Sequence, residues 1–275
     1  MKLPVTKLCK AAEMSSQNYY KSRKIRKRRK VDELLIKDLV HNERALQPRI
    51  GCEKLYTQLK PQLIASGISI GRDKFYEVLR NQGLMLKRLP KAPRTTNSKH
   101  SLPVFSNLVK DMELTCANQV WVSDITYIRT RDKFVYLSLV TDKFSRKIVG
   151  YHLAESLEAE DTLKALDMAL HSLPAGVTPI HHSDRGSQYC SHKYVKKLKK
   201  HAMSISMTEE NHCAENALAE RVNGILKQEY ALGFEYKNMK AAQRAVEEGI
   251  WLYNNRRLHR SLNFRTPEEI HRKTA

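Results

Sequence analysis

The run His182-Ser183-Asp184-Arg185-Gly186-Ser187-Gln188-Tyr189 follows a short apolar segment, Pro179-Ile180-His181, and sets an aspartate at its tip with a turn signal, Arg185-Gly186, behind it. Thirty-five residues then separate Asp184 from Glu220. They read as a loop, a strongly cationic helix over 191–202, a brief strand over 205–207 and a helix over 214–230. A third acid, Asp124, stands upstream inside Trp121-Val122-Ser123-Asp124-Ile125-Thr126-Tyr127, a run otherwise apolar, aromatic or small. An unpaired carboxylate is costly to bury in such a strand. A ligand role relieves that cost, and so does a hydrogen bond to a neighbouring Ser or Thr. Asp184 sits at a strand end, where ligands gather in open α/β sheets, although an Asp there also caps its own turn. Glu220 competes with Glu215 and Glu229. On a helix, Asn216, Glu220, Asn223 and Lys227 share one face, while Leu218, Val222 and Ile225 share another. That polar face suits a metal beside a phosphate backbone and suits plain solvent equally well. Magnesium is a hard cation that takes oxygen ligands and one or two carboxylates per ion. Two such ions roughly 3.5 to 4 Å apart serve an in-line phosphodiester displacement, and three acids from different elements can hold two ions.

The elements around these acids indicate the fold class. Val120–Arg129, Phe134–Thr141 and Ile148–Leu153 are rich in β-branched and aromatic residues and are separated by short polar turns, so three antiparallel strands are expected. A helix follows over Asp161–Leu173, ended by Pro174 and Gly176. A meander followed by alternating helix and strand describes an α/β sheet with mixed pairing. A ribonuclease H-like core has that order of elements.

Charge points to the partner. The chain of 275 residues carries a net charge of +20, which attracts a polyanion. Residues 1–117 hold 25 Lys and Arg against 10 Asp and Glu, and residues 118–275 hold 24 against 19. The first part thus has the makings of a grip, and the second of a folded body with acids to spare. No apolar run approaches a membrane span and no signal-peptide core opens the chain, so a soluble, cytoplasmic protein is expected, with nucleic acid the better partner. The five cysteines, Cys9, Cys52, Cys116, Cys190 and Cys213, form no Cys-x-x-Cys pair, which disfavours a disulfide framework and a structural zinc site.

The N-terminal region reads as helical. Ser15 is a plausible N-cap before Tyr19 and Tyr20, and residues 1–30 form a basic segment compatible with a small helix-turn-helix. Lys21–Lys30 holds eight cations in ten residues, a composition expected of a solvated, self-repelling connector. Residues 31–87 carry apolar stripes over 31–40, 51–59 and 68–82, with Gly83 at a C-cap position. Arg72, Lys74 and Arg80 lie largely off the apolar face of the third helix, as in a helix-turn-helix whose last helix enters the major groove. A three-helix bundle with a wet basic face fits the same stripes. Residues 88–117, with Pro90, Pro93 and Pro103, read as a linker, 118–235 as the core, and 236–275 as a C-terminal helical extension.

Three motifs carry a resemblance. The Trp121–Tyr127 run, the His182–Tyr189 run, and Asn216-Ala217-Leu218-Ala219-Glu220-Arg221 with Leu226-Lys227-Gln228-Glu229 closely resemble the integrase-like core of bacterial insertion-sequence transposases. The match is to the family numbered three among insertion sequences, in particular its second-reading-frame product. Tyr253-Asn254-Asn255-Arg256-Arg257-Leu258-His259, with Thr266-Pro267-Glu268-Glu269, resembles that family's C-terminal signature, and residues 51–84 resemble its helix-turn-helix. The resemblance implies a retroviral integrase-type, ribonuclease H-like catalytic core behind an all-α helix-turn-helix region. It implies a catalytic and metal-binding triad, falling here on Asp124, Asp184 and Glu220, that takes two Mg2+ or Mn2+ ions.

The implied activity is nicking at terminal inverted repeats followed by strand transfer through the freed 3′ hydroxyl. The implied partners are double-stranded DNA, both element ends and target, and a homodimer or higher oligomer on DNA. The upstream-frame product is a further implied partner, since no leucine heptads occur in this chain; the implied location is the bacterial cytoplasm, on the nucleoid. Arg185, Gln188, Asn223 and Lys227 are expected to contact DNA together with Arg72, Lys74 and Arg80; Thr126 and Asp142 match recurring family positions with supporting roles. Glu215 stands where the family commonly has Asp, and the zinc module of retroviral integrases is absent. A regulator that binds the ends without cutting them and a general nuclease of the same fold are the competing functions.

Overall fold

The computed structural model describes residues 4–87, 102–209 and 215–274. Pro90 and Pro93 of the expected linker, the expected helix start at Ala214, and His212-Cys213 lie outside those residues. The chain divides into two compact units, Met1–Leu46 with Ile50–Lys87, and Gln47–Arg49 with Arg88–Ala275.

The first unit is helical: α1 (Val5–Ala11), α2 (Ser16–Leu46), α3 (Cys52–Ala65) and α4 (Arg72–Asn81). Ser15 caps α2, its Oγ accepting from Asn18 N at 3.1 Å, as the sequence indicates. The basic run is a correction: Lys21–Lys30 is continuous helix inside the 31-residue α2. Arg and Lys are good helix formers, and the like-charge cost is spread over a solvated rod. An i, i+4 pair, Arg29 to Glu33 at 3.1 Å, adds local support. Ile36 and Val40 of α2 pack with Leu55, Leu59 and Leu63 of α3 and with Phe75, Val78 and Leu79 of α4. The α3–α4 turn passes through Gly67 at φ +72°, and Gly83 ends the unit's last turn at φ +67°, a left-handed conformation that glycine adopts without a Cβ penalty.

The second unit is a mixed sheet in the order β3-β2-β1-β4-β5, with β6 paired to β1. Its strands are β1 (Val120–Thr130), β2 (Phe134–Asp142), β3 (Ile148–Ala154), β4 (Ile180–Ser183), β5 (Ile205–Met207) and β6 (Glu235–Tyr236). β1, β2 and β3 form the antiparallel meander, while β4 and β5 join in parallel. Between and after them run α5 (Ala159–His171), α6 (Ser187–Cys190), α7 (His192–Lys200), α8 (Ala217–Glu229), α9 (Met239–Asn255) and α10 (Pro267–Thr274). The sheet is covered on both faces, one by α5, α6 and α7 and the other by α8 and α9. Trp121 is fully buried between layers, its indole N–H donating to Asn118 Oδ1 at 3.1 Å.

Residues 102–117, connector-like in composition, lie against this unit. Ser106 O accepts from Met207 N at 3.4 Å, Ser206 Oγ from Leu108 N at 2.9 Å, and Val109 is buried. Glu215 takes part here, its Oε2 accepting from Asn107 Nδ2 at 3.0 Å.

The C-terminal signature is a set of braces. Asn254 exchanges two hydrogen bonds of 2.9 Å with the backbone of Ile148 at the start of β3. Arg257 forks onto Glu229 at the end of α8, at 2.9 and 2.7 Å. Thr266 and Glu269 form a reciprocal capping box on α10, with Pro267 at the first helical position, where its missing N–H costs nothing.

β3 touches α5 through Gly150, where an added Cβ would come to 2.1 Å from Ala165 O and 2.9 Å from Ala169 Cβ. Backbone on one side and a core side chain on the other leave no easy relief. Gly150→Ala is expected to destabilise the unit by about 3 kcal/mol, measured as a lower urea midpoint at unchanged slope.

Candidate active site

Strand pairing sets the first two acids side by side. β1 and β4 run parallel with Ser123 opposite Ser183, so Asp124 and Asp184 are the next residues along adjacent strands, roughly 4.8 Å apart in backbone spacing. β4 ends at Ser183 and Asp184 opens a tight turn, Asp184 Oδ1 accepting from Gly186 N at 3.0 Å. Gly186 is closely approached, since a Cβ would meet that carboxylate oxygen at 3.0 Å and Gln188 Oε1 at 3.2 Å, and either side chain would have to shift. Arg185 holds the same turn by donating to Thr208 O at 2.6 Å, and Gln188 by donating to Leu157 O at 3.0 Å.

The polar stripe of α8 meets β1 edge on. Asn216, buried at the helix start, donates to Ser123 O at 3.2 Å; Asn223 Nδ2 donates to Asp124 Oδ2 at 2.8 Å; and Lys227 Nζ lies 3.9 Å from the Tyr127 ring centroid, a cation–π contact. Glu220, on the same stripe, stays exposed. Asn223 is only 6% exposed, so the residue expected at the DNA is an interior support of Asp124. Lys227 is half-buried against Tyr127, its pKa lowered by burial. Helical periodicity finds this face of α8, but not the strand it lies on.

Electrostatics tie the three acids together. The Asp124 carboxyl is pushed up to about 7, by burial first, then by the negative charge of Asp184 and, less, of Glu220; the Asn223 hydrogen bond opposes the rise. Among the described residues no three His, Cys, Asp or Glu side chains gather closely enough to cage an ion. The acids thus share one field without forming a closed cage. Carboxylate oxygens are the donors that magnesium and manganese prefer, so the chemistry of the donor set fits such an ion. Cys190, beneath Asp184, is no nucleophile: burial and then the Asp184 charge push its thiol up to about 11.

Asp142, in contrast, is fully buried structure. Its carboxylate accepts from Asn118 N at 2.8 Å and from Ser145 N and Oγ at 2.6 Å, fixing the β2–β3 turn. In the first unit, Arg72 pairs with Asp73 at 3.1 Å and Lys74 with Glu77 at 2.7 Å, and Arg80 is exposed on α4.

An integrase core domain family model matches residues 115–213, and a second integrase core domain model matches residues 201–267. The chain is 37% identical over 220 residues to the insertion element IS600 uncharacterized 31 kDa protein of Shigella sonnei, covering 78% of this chain and 80% of that one. It is 33% identical over 218 residues to the transposase InsF for insertion sequence IS3A of Escherichia coli, covering 78% and 76%. One chain of the simian T-cell lymphotropic virus intasome structure shares the fold at a TM-score of 0.50 and 18% identity, over 80% of this chain and 74% of that one. The fold is therefore ribonuclease H-like, of the retroviral integrase type, and the class of protein is a DDE-type transposase or integrase enzyme. Within that class the chain belongs to the IS3 family of insertion-sequence transposases.

Beneath the acids lies an uncharged polar knot. His181 Nε2 is 2.8 Å from Ser123 Oγ and 2.9 Å from Tyr194 OH. Burial pushes the imidazole down to about 3, so it stays neutral, with its Nε2 within hydrogen-bond distance of both hydroxyls. Its folded pKa lies below the unfolded value near 6.5. The stability it contributes is whole above pH 6.5 and drains as pH falls toward 3. His181→Gln is expected to flatten the pH dependence of unfolding between pH 6.5 and 4 by about 1.4 kcal/mol per pH unit, read by urea titrations at stepped pH.

Proposed function

We propose that Asp124, Asp184 and Glu220 form the catalytic triad of this transposase, hold two divalent ions, Mg2+ or Mn2+, and cut and join DNA at the ends of an insertion sequence. The observation that carries this is the shared field at Asp124, a strand-interior acid that feels the charges of Asp184 at a strand tip and, less, of Glu220 on a helix. Bound there, the metal polarises the scissile phosphate and makes the attacking oxygen a better nucleophile.

The chain's own groups set the geometry. Asn223 orients Asp124 by donating to its Oδ2, and the Ile125 amide adds a second hydrogen bond to the carboxylate. The Gly186 amide orients Asp184 in the same way. Glu220, exposed on α8, is free to swing toward a ligand, and Lys227 balances part of the acids' charge. On a terminal inverted repeat, the first displacement uses water and releases a 3′ hydroxyl. That hydroxyl then displaces a second phosphodiester in strand transfer. α4 is the element that presents Arg72, Lys74 and Arg80 to duplex DNA, and acting on two ends calls for a homodimer or larger assembly.

Asp184→Asn and Glu220→Gln are each expected to lower metal-dependent nicking of an end-containing duplex by at least about 1000-fold, with duplex binding in EDTA within about twofold of wild type. The measurement is a gel assay with magnesium beside fluorescence anisotropy without it. Cutting of duplexes that lack the ends, without joining, would point to a general nuclease; binding of ends without any cutting by wild type would point to a regulator.

A further inference from the structure

The second unit carries a cationic cleft of about 430 Å3 between the β2–β3 turn and the C-terminal loop. Lys143, Phe144 and Arg146 line it from the turn, and Ser261, Asn263 and Arg265 from the loop. Its lining holds three cations and no acid. The Lys143 ammonium donates only to a carbonyl, Val109 O, at 3.3 Å. Among the described residues neither Arg146 nor Arg265 forms an ion pair with an acid.

Nearby acids are already engaged. Asp142 is taken up by Asn118 and Ser145, Glu268 pairs with Lys147 at 2.8 Å, and Glu269 caps α10. Burial lowers the pKa of both Lys143 and Arg146; Arg146 adds to the effect at Lys143, while at Arg146 Tyr253 and Asp142 oppose it and Arg221 adds to it. The walls are held in place. Ser145 Oγ lies 3.0 Å from His271 Nδ1 of α10, Asn254 fixes Ile148, and Arg146, Asn263 and Phe264 all hold left-handed φ, at 67°, 53° and 57°. Asn263 tolerates that conformation, whereas Arg146 and Phe264 hold it at a cost that their surroundings offset.

We propose that this cleft binds a phosphodiester of a DNA strand, held by Arg146, Arg265 and Lys143. Guanidinium forks match phosphate oxygens in pairs, and an ammonium adds a point charge. The volume is in the range of sites for ligands much larger than a single phosphate, so sugar on either side has room against Phe144. That the phosphate belongs to DNA rests on the transposase reading; that the cleft takes an anion does not.

The test uses the full chain in EDTA, so cleft binding is scored apart from metal-dependent nicking. Affinity for a labelled random-sequence duplex is measured against salt for wild type, for Arg146→Gln with Arg265→Gln, and for Asn263→Asp. Lys133→Gln with Lys164→Gln serves as control, since those exposed cations already pair with Glu155 and Asp161. The double cleft variant is expected to bind about tenfold more weakly, with a salt slope shallower by about 2. Asn263→Asp, which adds a charge at the mouth without touching the core, is expected to weaken binding in the same direction. Unchanged affinity and slope in both cleft variants, or an equal loss in the control, overturns the proposal. Inorganic phosphate that raises the Tm of wild type but not of the double variant, with duplex binding unchanged, overturns the DNA assignment.

Discussion

The hydrogen bond from Asn223 to Asp124 is the contact on which the proposed site depends, because it locks a helix carrying one acid to a strand carrying another. An amide can do this where a cation or an acid would serve less well. It adds no charge to a group already crowded by Asp184 and Glu220, and it offers a donor that favours the ionised carboxylate. Asn216 repeats the device at the Ser123 carbonyl. The apolar side of α8 completes the attachment, with Val222, Ile225 and Leu226 in one core with Ile128, Val135 and Leu137. Arg257 and Glu229 then hold the far end of the helix. Repulsion among the acids is thus borne by packing and neutral hydrogen bonds.

How much of this could be read from residues alone follows from what periodicity encodes. The meander was legible because its three runs are β-branched and separated by polar turns, and the starts of all three strands coincide with the expected ones. The parallel additions were legible as short apolar runs bounded by helices. The continuity of α2 was not, because charge density and helix propensity pull opposite ways over Lys21–Lys30, and a solvated helix resolves the conflict where a packed one could not. The inward aim of Asn223 was also hidden. Spacing placed it with Asn216, Glu220 and Lys227 on one face, and only the partner strand decides that this face is a seam with a single exposed acid in it.

The C-terminal signature shows the same limit from another side. As sequence it is a run of amides, cations and a histidine, a composition expected on a wet or DNA-facing surface. Folded, Asn254 and Arg257 are mostly buried and spend their hydrogen bonds on β3 and α8. Their value is positional, since each donor sits where a strand start or helix end leaves backbone or carboxylate groups to satisfy. No short-range pattern reveals that, because the partners lie about 106 and 28 residues away.

These braces also account for the placement of charge around α8. Asp124 feels the charges of Asp184 and Glu220 where the polar stripe of α8 meets β1, and Lys143 and Arg146 lie at the β2–β3 turn, with Arg221, the residue after Glu220, adding its charge at Arg146. Each cluster carries like-charge repulsion, of Asp184 and Glu220 on Asp124 and of Arg221 on Arg146, opposed by Asn223 in the first and by Tyr253 and Asp142 in the second. On the proposed function a divalent cation would relieve the first cluster, and on the proposed cleft binding a phosphodiester would relieve the second. On both proposals, a DNA strand that brought phosphates to both, with cations at the acids, would remove both costs together. On those two proposals the free chain holds its like charges in place before substrate arrives, as preorganised electrostatic sites do.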